Sequence, residues 1–300
     1  AFRVPKILVA HPSGPFHHLQ MTKTLLSFGH GYSARALAKL LPDSRIIGTT
    51  RSAEKAEALR ADGADALIWP GNDPTEALQT ATHILLSIAP EEAGDPVFLA
   101  HADAIEDAPN LQWIGYLSTT GVYGDHAGGW VNEDTLLTPS TKRGQMRVKA
   151  EAQWQSLDLP LHIFRLAGIY GPGRGPFTKV RSGTARRIIK KGQVFSRTHV
   201  DDIAQVLTAS IARPNPGTIY NVCDDDPAPP QDVIAFAAEL LGLPVPPDIA
   251  FESADFTPMA RSFYAESKRV RNDRITEDLR VKLRYASYRD GLKALLEDER

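Results

Sequence analysis

With one cysteine in 300 residues, Cys223, the chain can form no intramolecular disulfide and has no cysteine set for a metal cluster. A lone cysteine of this kind reads as a small buried hydrophobe, not as a nucleophile. No stretch approaches the ~18 consecutive apolar residues of a membrane span. Neither charge dominates: 34 basic against 36 acidic residues leave a net charge of −2. Nothing global therefore calls for nucleic acid or an anionic membrane as partner. The chain has no internal repeat and no low-complexity tract. Near the start, Ile7-Leu8-Val9-Ala10 is too short for a signal-peptide core, and Pro12, Ser13, Gly14 and Pro15 break regular structure. The expectation is a cytoplasmic protein whose residues 1–20 form an N-terminal extension. An arm packed on a partner subunit is the alternative for that segment.

What is present is ample apolar content, 42%, arranged in alternating segments. Buried-strand patterns fall at Thr24–Phe28, Arg45–Thr50, Ala66–Ile68, His83–Ile88, Trp113–Ser118 and Leu161–Leu166. Helical spacing fills the gaps, at Tyr32–Leu41, Ala53–Ala61, Thr75–Thr80, Val97–Asp107 and Lys142–Leu157. Strand–helix alternation at ~20–30 residues predicts an α/β fold, a doubly wound parallel Rossmann sheet. After Gly171 the texture changes. Glycine and proline cluster up to Pro176, helices recur at Val200–Ala212, Pro230–Leu241 and Asp290–Leu296, and Pro244–Phe256 reads as loop. The expected organisation is a dinucleotide-binding domain over residues 21–171, with 194–222 contributing, and a smaller C-terminal substrate lobe over 172–300.

The chemistry-bearing motif follows the first strand. Gly29-His30-Gly31-Tyr32-Ser33-Ala34 fits G-x-G-x-x-A between a strand and a helix. Gly29 permits the tight turn, Gly31 lets the backbone approach a pyrophosphate, and Ala34 allows close helix–strand packing. The helix N-terminus supplies free N–H groups and partial positive charge. His30 is read either as a phosphate contact or as solvent-exposed in the turn. At the end of the second strand, an NAD-binding unit carries an acid for the ribose 2′-hydroxyl. Thr50-Arg51-Ser52 has none. Arg51, flanked by two hydroxyls, suits a 2′-phosphate, so NADP is the expected cofactor.

Three further stretches resemble the extended short-chain dehydrogenases, the superfamily of sugar-nucleotide epimerases and dehydratases. They are Leu117-Ser118-Thr119-Thr120-Gly121-Val122-Tyr123-Gly124, Arg165 to Gly173 with its Tyr170-Gly171-Pro172, and His199-Val200-Asp201-Asp202. Asn272-Asp273-Arg274 and Tyr285–Leu292 also look like family punctuation, so the resemblance covers about residues 22–295. The G-x-G-Y-x-A turn resembles the atypical branch of the superfamily. The resemblance implies that Thr119 polarises a substrate oxygen, with Ser118 next in line and Tyr123 structural or pocket-lining. It also implies a homodimer through the helices near Val97–Asp107 and Lys142–Leu157, with Trp154 and Leu157 either as apolar anchors or as core residues.

The sequence departs from the family at its Tyr-x-x-x-Lys dyad. No tyrosine lies between Tyr123 and Tyr170. Registered on Glu151, Arg143 takes the tyrosine position and Arg147 the lysine position, and arginine does not titrate near neutral pH; registered on Lys149, Gln145 takes the tyrosine position, and either way the proton donor is gone. Four residues apart on a helix, the two are expected to share a face and form an anion-binding wall in the cleft. His199, Asp201 and Asp202 read as helix capping and packing, and Asp224-Asp225-Asp226 as a solvated turn, so no metal is expected. The functional expectation is an NADP-dependent epimerase or reductase acting on a nucleotide-sugar or other anionic sugar-like small molecule. A catalytically silent NADP-sensing protein is the alternative.

Overall fold

The computed structural model describes residues 23–299; the expected extension at residues 1–20 lies outside them. Seven strands form one sheet, in the spatial order Ile219–Val222, Leu161–Leu166, Trp113–Thr119, His83–Leu86, Thr24–Phe28, Arg45–Thr50, Asp65–Ile68. All six pairings are parallel. A parallel sheet is covered on both faces, so its strands read as unbroken apolar runs. Thr24–Phe28 is buried at every position. Its side chains alternate between two cores. Leu25 joins a cluster with Leu37, Trp113, Phe164 and Ile203, under the helices Tyr32–Lys39 and Val200–Ala212. Leu26 joins the opposite cluster with Ile84, Ile114, Ala150 and Trp154, under the helices Pro96–Glu106 and Lys142–Gln155. The strand order reverses between Thr24–Phe28 and His83–Leu86, which opens a crevice at their C-terminal ends.

A separate apolar core holds the C-terminal elements, with Tyr170, Phe177, Val233, Tyr288 and Leu292 among its members. Three short parallel pairs lie outside the main sheet: Trp130–Val131 with Arg269–Val270, Gly168–Tyr170 with Arg197–His199, and Arg187–Ile189 with Asp248–Ala250. The last pair corrects the expectation that Pro244–Phe256 is loop throughout. Two or three residues give no readable alternation, so pattern reading passes over them. The terminal helix is Tyr288–Asp298, two residues earlier than expected, because the Ser287 hydroxyl accepts from the Asp290 amide and caps it. Of the two apolar anchors, Trp154 belongs to the core and Leu157 is half-buried against it. Trp154 is fully buried against Phe98, and Leu157 packs on the same cluster. No described helix is long and apolar enough to cross a membrane.

Candidate active site

The crevice begins at the glycine turn. Gly29 has φ +82°, the left-handed region that glycine adopts without strain. A Cβ there would also lie 2.8 Å from Ile88 Cγ1. The second strand holds the turn in place: Gly29 N donates to Thr49 Oγ1 at 2.8 Å and His30 N to Thr49 O at 3.1 Å. From below, Ser87 Oγ donates to the Gly29 carbonyl. Gly31 is the N-cap of Tyr32–Lys39, with no side-chain cap, so the first-turn amides have no side-chain partner. A Cβ on Gly31 would meet nothing nearer than Gly29 O at 3.8 Å. The space over Gly31 is thus open, whereas that over Gly29 is filled by protein. This is the arrangement a pyrophosphate needs, and the chain's own residues fit such a group.

His30 is not solvent-exposed in the turn. Its ring folds back under the turn, and a Cβ at Gly48 would touch His30 Cβ at 2.8 Å. Only 9% of the residue is exposed, and burial lowers its pKa to about 4. His30 is a neutral packing residue here, made possible by Gly48. Ser33 and Ala34 are likewise buried against the sheet. Tyr32 instead reaches across the crevice. Its hydroxyl donates to Pro172 O at 3.0 Å, and the glycine before that proline leaves room for it: a Cβ on Gly171 would lie 2.5 Å from the Tyr32 hydroxyl.

A groove of ≈ 1340 Å³ runs from Gly31 and Tyr32 past Thr50, Lys55 and Arg35. Arg51 follows Thr50 directly, is exposed, and joins no ion pair among the described residues. Ser52 Oγ accepts from Lys55 N and caps the helix Ala53–Ala61, so its oxygen is already in use. Arg35 is paired with Asp62 across the groove wall. Lys55 and Arg35 were not singled out from the sequence, because two more cations on helices carry no distinguishing pattern there.

Thr119 ends the strand Trp113–Thr119. Its Oγ1 accepts from Gly121 N at 3.1 Å, and no hydrogen bond among the described residues uses its hydroxyl as donor. The helix Lys142–Gln155 packs directly on this turn through Gly144. A Cβ at Gly144 would lie 2.7 Å from both Gly121 O and Pro139 Cβ. The helix therefore meets the Thr119 turn with bare backbone, and no side chain can stand between them. Glycine inside a helix costs about 1 kcal/mol against alanine; a close approach is a physical reason for it, and that signal was available in the sequence.

Arg143 and Arg147 do not form the expected common wall. Arg147 turns inward, donating to Leu117 O at 2.6 Å and to the Tyr116 hydroxyl at 3.1 Å. Arg143 is exposed and lies over the Phe263 ring, 5.8 Å from its centroid. A backbone carbonyl close to hand takes up the first guanidinium, so no shared anion is required.

Below the turn is a buried polar network. Ser118 Oγ donates to Glu151 Oε1 at 2.5 Å, and Arg165 donates to both Glu151 oxygens, its Nη2 at 2.8 Å from Oε2. Arg165 also donates to the Tyr123 hydroxyl at 3.1 Å, which in turn donates to Asn221 Oδ1 at 2.7 Å. Burial raises the Tyr123 pKa to about 12, against the opposing pull of Arg165. Ser118 and Tyr123 are both tied into this network. His199, not an aspartate, caps the helix Val200–Ala212, its Nδ1 accepting from Asp201 N. Asp202 instead accepts the amides of Arg284 and Tyr285 at 2.6 and 3.1 Å, tying the C-terminal segment to that helix. Asp224 corrects the reading of a solvated turn: it is 2% exposed, and burial raises its pKa to about 8 against the opposing pull of the Arg197 guanidinium. Among the described residues no group of His, Cys, Asp and Glu could hold a metal ion.

The parallel sheet, the glycine turn at its switch point and the crevice define a Rossmann-type fold of the epimerase/dehydratase kind. UDP-glucuronic acid 4-epimerase from Bacillus cereus, solved in complex with NAD, superposes with a TM-score of 0.73 at 17% identity, covering 92% of this chain and 99% of that one. At that identity the likeness is one of fold. A functionally unknown conserved protein from Silicibacter pomeroyi DSS is 63% identical, with a TM-score of 0.90 over 92% of this chain and 99% of that one. The chain belongs to the same family as that protein. Protein YeeZ of Escherichia coli (strain K12) is 29% identical over 218 residues, 67% of this chain and 77% of YeeZ. No family model matches the chain.

Proposed function

We propose that the protein binds NADP at the glycine turn and acts as an oxidoreductase or epimerase on an anionic, sugar-like small molecule. The observation that carries the reading is the pairing of an open Gly31 approach with an unpaired Arg51 at the end of the second strand. Gly29, Gly31 and the first-turn amides of Tyr32–Lys39 hold the pyrophosphate, while Arg51, with Thr50 beside it and Lys55 along the same groove, takes the 2′-phosphate. The bound nicotinamide supplies or accepts a hydride at the crevice. Thr119, its hydroxyl free to donate, polarises the reacting oxygen of the substrate. The B. cereus epimerase of the same fold was solved with NAD, which supports a nicotinamide dinucleotide here. A homodimer through the helices Pro96–Glu106 and Lys142–Gln155 belongs to this reading, with Leu99, 55% exposed, as its apolar contact in place of Trp154.

One observation favours a second reading, a cofactor-sensing protein without turnover. The helix Lys142–Gln155 carries no tyrosine, so the side chain that would serve as its proton donor beside Thr119 is missing. The two readings separate on one assay: NADPH oxidation by the full chain with a panel of carbonyl compounds and nucleotide sugars. Turnover that is lost in Thr119→Val with NADPH affinity intact supports the enzyme. Tight NADPH binding with no turnover across the panel supports the sensor.

A further inference from the structure

The far wall of the crevice carries a cation that the fold ties to the first residue of the cofactor helix. Tyr32 opens that helix directly after Gly31, and its hydroxyl spans the crevice to Pro172 O at 3.0 Å. The accepting carbonyl belongs to a closed turn. Gly171 N donates to Arg174 O at 3.0 Å, and Arg174 N donates back to Gly171 O at 2.9 Å. Gly173, at φ +69°, takes the left-handed conformation that this reversal needs. Gly171 lets the turn sit close, since a Cβ there would lie 2.8 Å from Val200 Cγ1 as well as striking the Tyr32 hydroxyl. Arg174 ends the turn, and its guanidinium lies over the Tyr32 ring, 5.8 Å from the centroid.

Arg174 is exposed and joins no ion pair among the described residues. Two side-chain charges act on the Tyr32 hydroxyl, that of Arg174 and, more weakly, that of Asp201. Asp201 in turn lies 3.7 Å from Arg284 Nη1, so the acid of this corner already faces another cation. The Tyr32 ring positions the Arg174 guanidinium while leaving its N–H donors unused. The other cations near the glycine turn are placed differently. Arg35 is bound to Asp62, while Arg51 and Lys55 stand beside Thr50 at the end of the second strand. The first-turn amides behind Gly31 offer N–H groups but only partial positive charge. A pyrophosphate laid on them still lacks a full counter-charge, and a guanidinium fork matches phosphate oxygens.

We propose that Arg174 completes the pyrophosphate site from the second wall of the crevice, its guanidinium on the phosphate oxygens opposite Gly31 and the first-turn amides. The assignment rests on the cofactor reading and adds to it a residue from outside the strand–turn–helix unit. Arg174 grips the dinucleotide without regard to the 2′-phosphate, which separates its role from that of Arg51. The test is fluorescence titration of the full chain with NADPH and NADH at fixed ionic strength, for wild type, Arg174→Ala and Arg174→Lys. Arg174→Ala should weaken both cofactors by the same factor, about tenfold, so that the preference between them stays as in wild type. Arg174→Lys should recover most of the loss, because a phosphate also accepts a point charge. Circular dichroism confirms that the variants are folded. An Arg174→Ala variant that binds both dinucleotides like wild type, a loss confined to NADPH, or a lysine variant as weak as the alanine one would each overturn the assignment. If wild type binds neither dinucleotide, the cofactor reading fails and takes this assignment with it. If wild type binds and Arg174→Ala binds equally well, only the assignment fails.

Discussion

The two ends of the crevice are built on opposite principles. At the glycine turn the backbone is held open: Gly31 faces free space, the helix N-terminus has no side-chain cap, and Thr49 and Ser87 fix the loop from behind. At Thr119 the backbone is closed: Gly144 seats the helix against the turn, and Ser118, Glu151 and Arg165 are consumed in a buried network. One glycine makes room for a ligand and the other removes it. Binding and chemistry are therefore separable on this fold, and a chain can keep the first intact while rebuilding the second.

Substitutions at the two ends should fail in different ways. Gly31→Val has the largest effect on binding. The protein has room for the added carbons, so the variant should fold with an unchanged thermal midpoint yet show no NADPH binding by fluorescence titration. Glu151→Ala has the largest effect on stability. It strands Arg165, 3% exposed, without its carboxylate, and denaturant unfolding should show a loss of about 3–5 kcal/mol. Its folded fraction should still bind NADPH like wild type. If instead stability holds and NADPH affinity falls, the network belongs to the cofactor site and the contrast between the ends is wrong.

A milder change probes the closed end. Gly144→Ala places a Cβ 2.7 Å from a backbone oxygen, and the overpacking should cost about 1–3 kcal/mol in urea unfolding despite alanine's better helix propensity. A stabilised variant would show that the helix can back away from Thr119.

Sequence reasoning reached the open end because its signals are local. A glycine pattern between a buried strand and an amphipathic helix is contiguous, and the long strands follow from apolar runs such as Thr24–Phe28. The last sheet strand, Ile219–Val222, was reached only as a contributing stretch, since it pairs across some fifty residues with Leu161–Leu166. The closed end was less legible because its facts are tertiary. Which way Arg143 and Arg147 point depends on a carbonyl at Leu117 and a ring at Phe263, neither visible from helical spacing. The burial of His30 is not legible locally because it depends on the missing side chain of Gly48 on the neighbouring strand. Asp224 sits in a run of three acids that reads as solvated, yet it alone of the three is buried.

That aspartate offers a smaller, pH-dependent contrast. Burial raises its pKa to about 8, so the folded chain keeps a proton that the unfolded chain releases above the ordinary carboxylate range. Its contribution to stability therefore falls as pH rises through that window and levels off above about 8. Asp224→Asn removes this term. The difference in thermal midpoint should shift in favour of the variant as pH rises from 4 to 8 and stay constant beyond. A difference independent of pH would mean that Asp224 ionises normally.

Arg51, exposed and in no ion pair among the described residues, is the residue on which NADP preference at the open end depends. Wild type and Arg51→Ala are each titrated with NADPH and NADH by fluorescence at fixed ionic strength. The expected result is tighter binding of NADPH by wild type, a loss of about 1.5–3 kcal/mol for NADPH in the variant, and NADH affinity unchanged. Equal affinities of wild type for the two cofactors, or an Arg51→Ala variant that still prefers NADPH to the same degree, would contradict it.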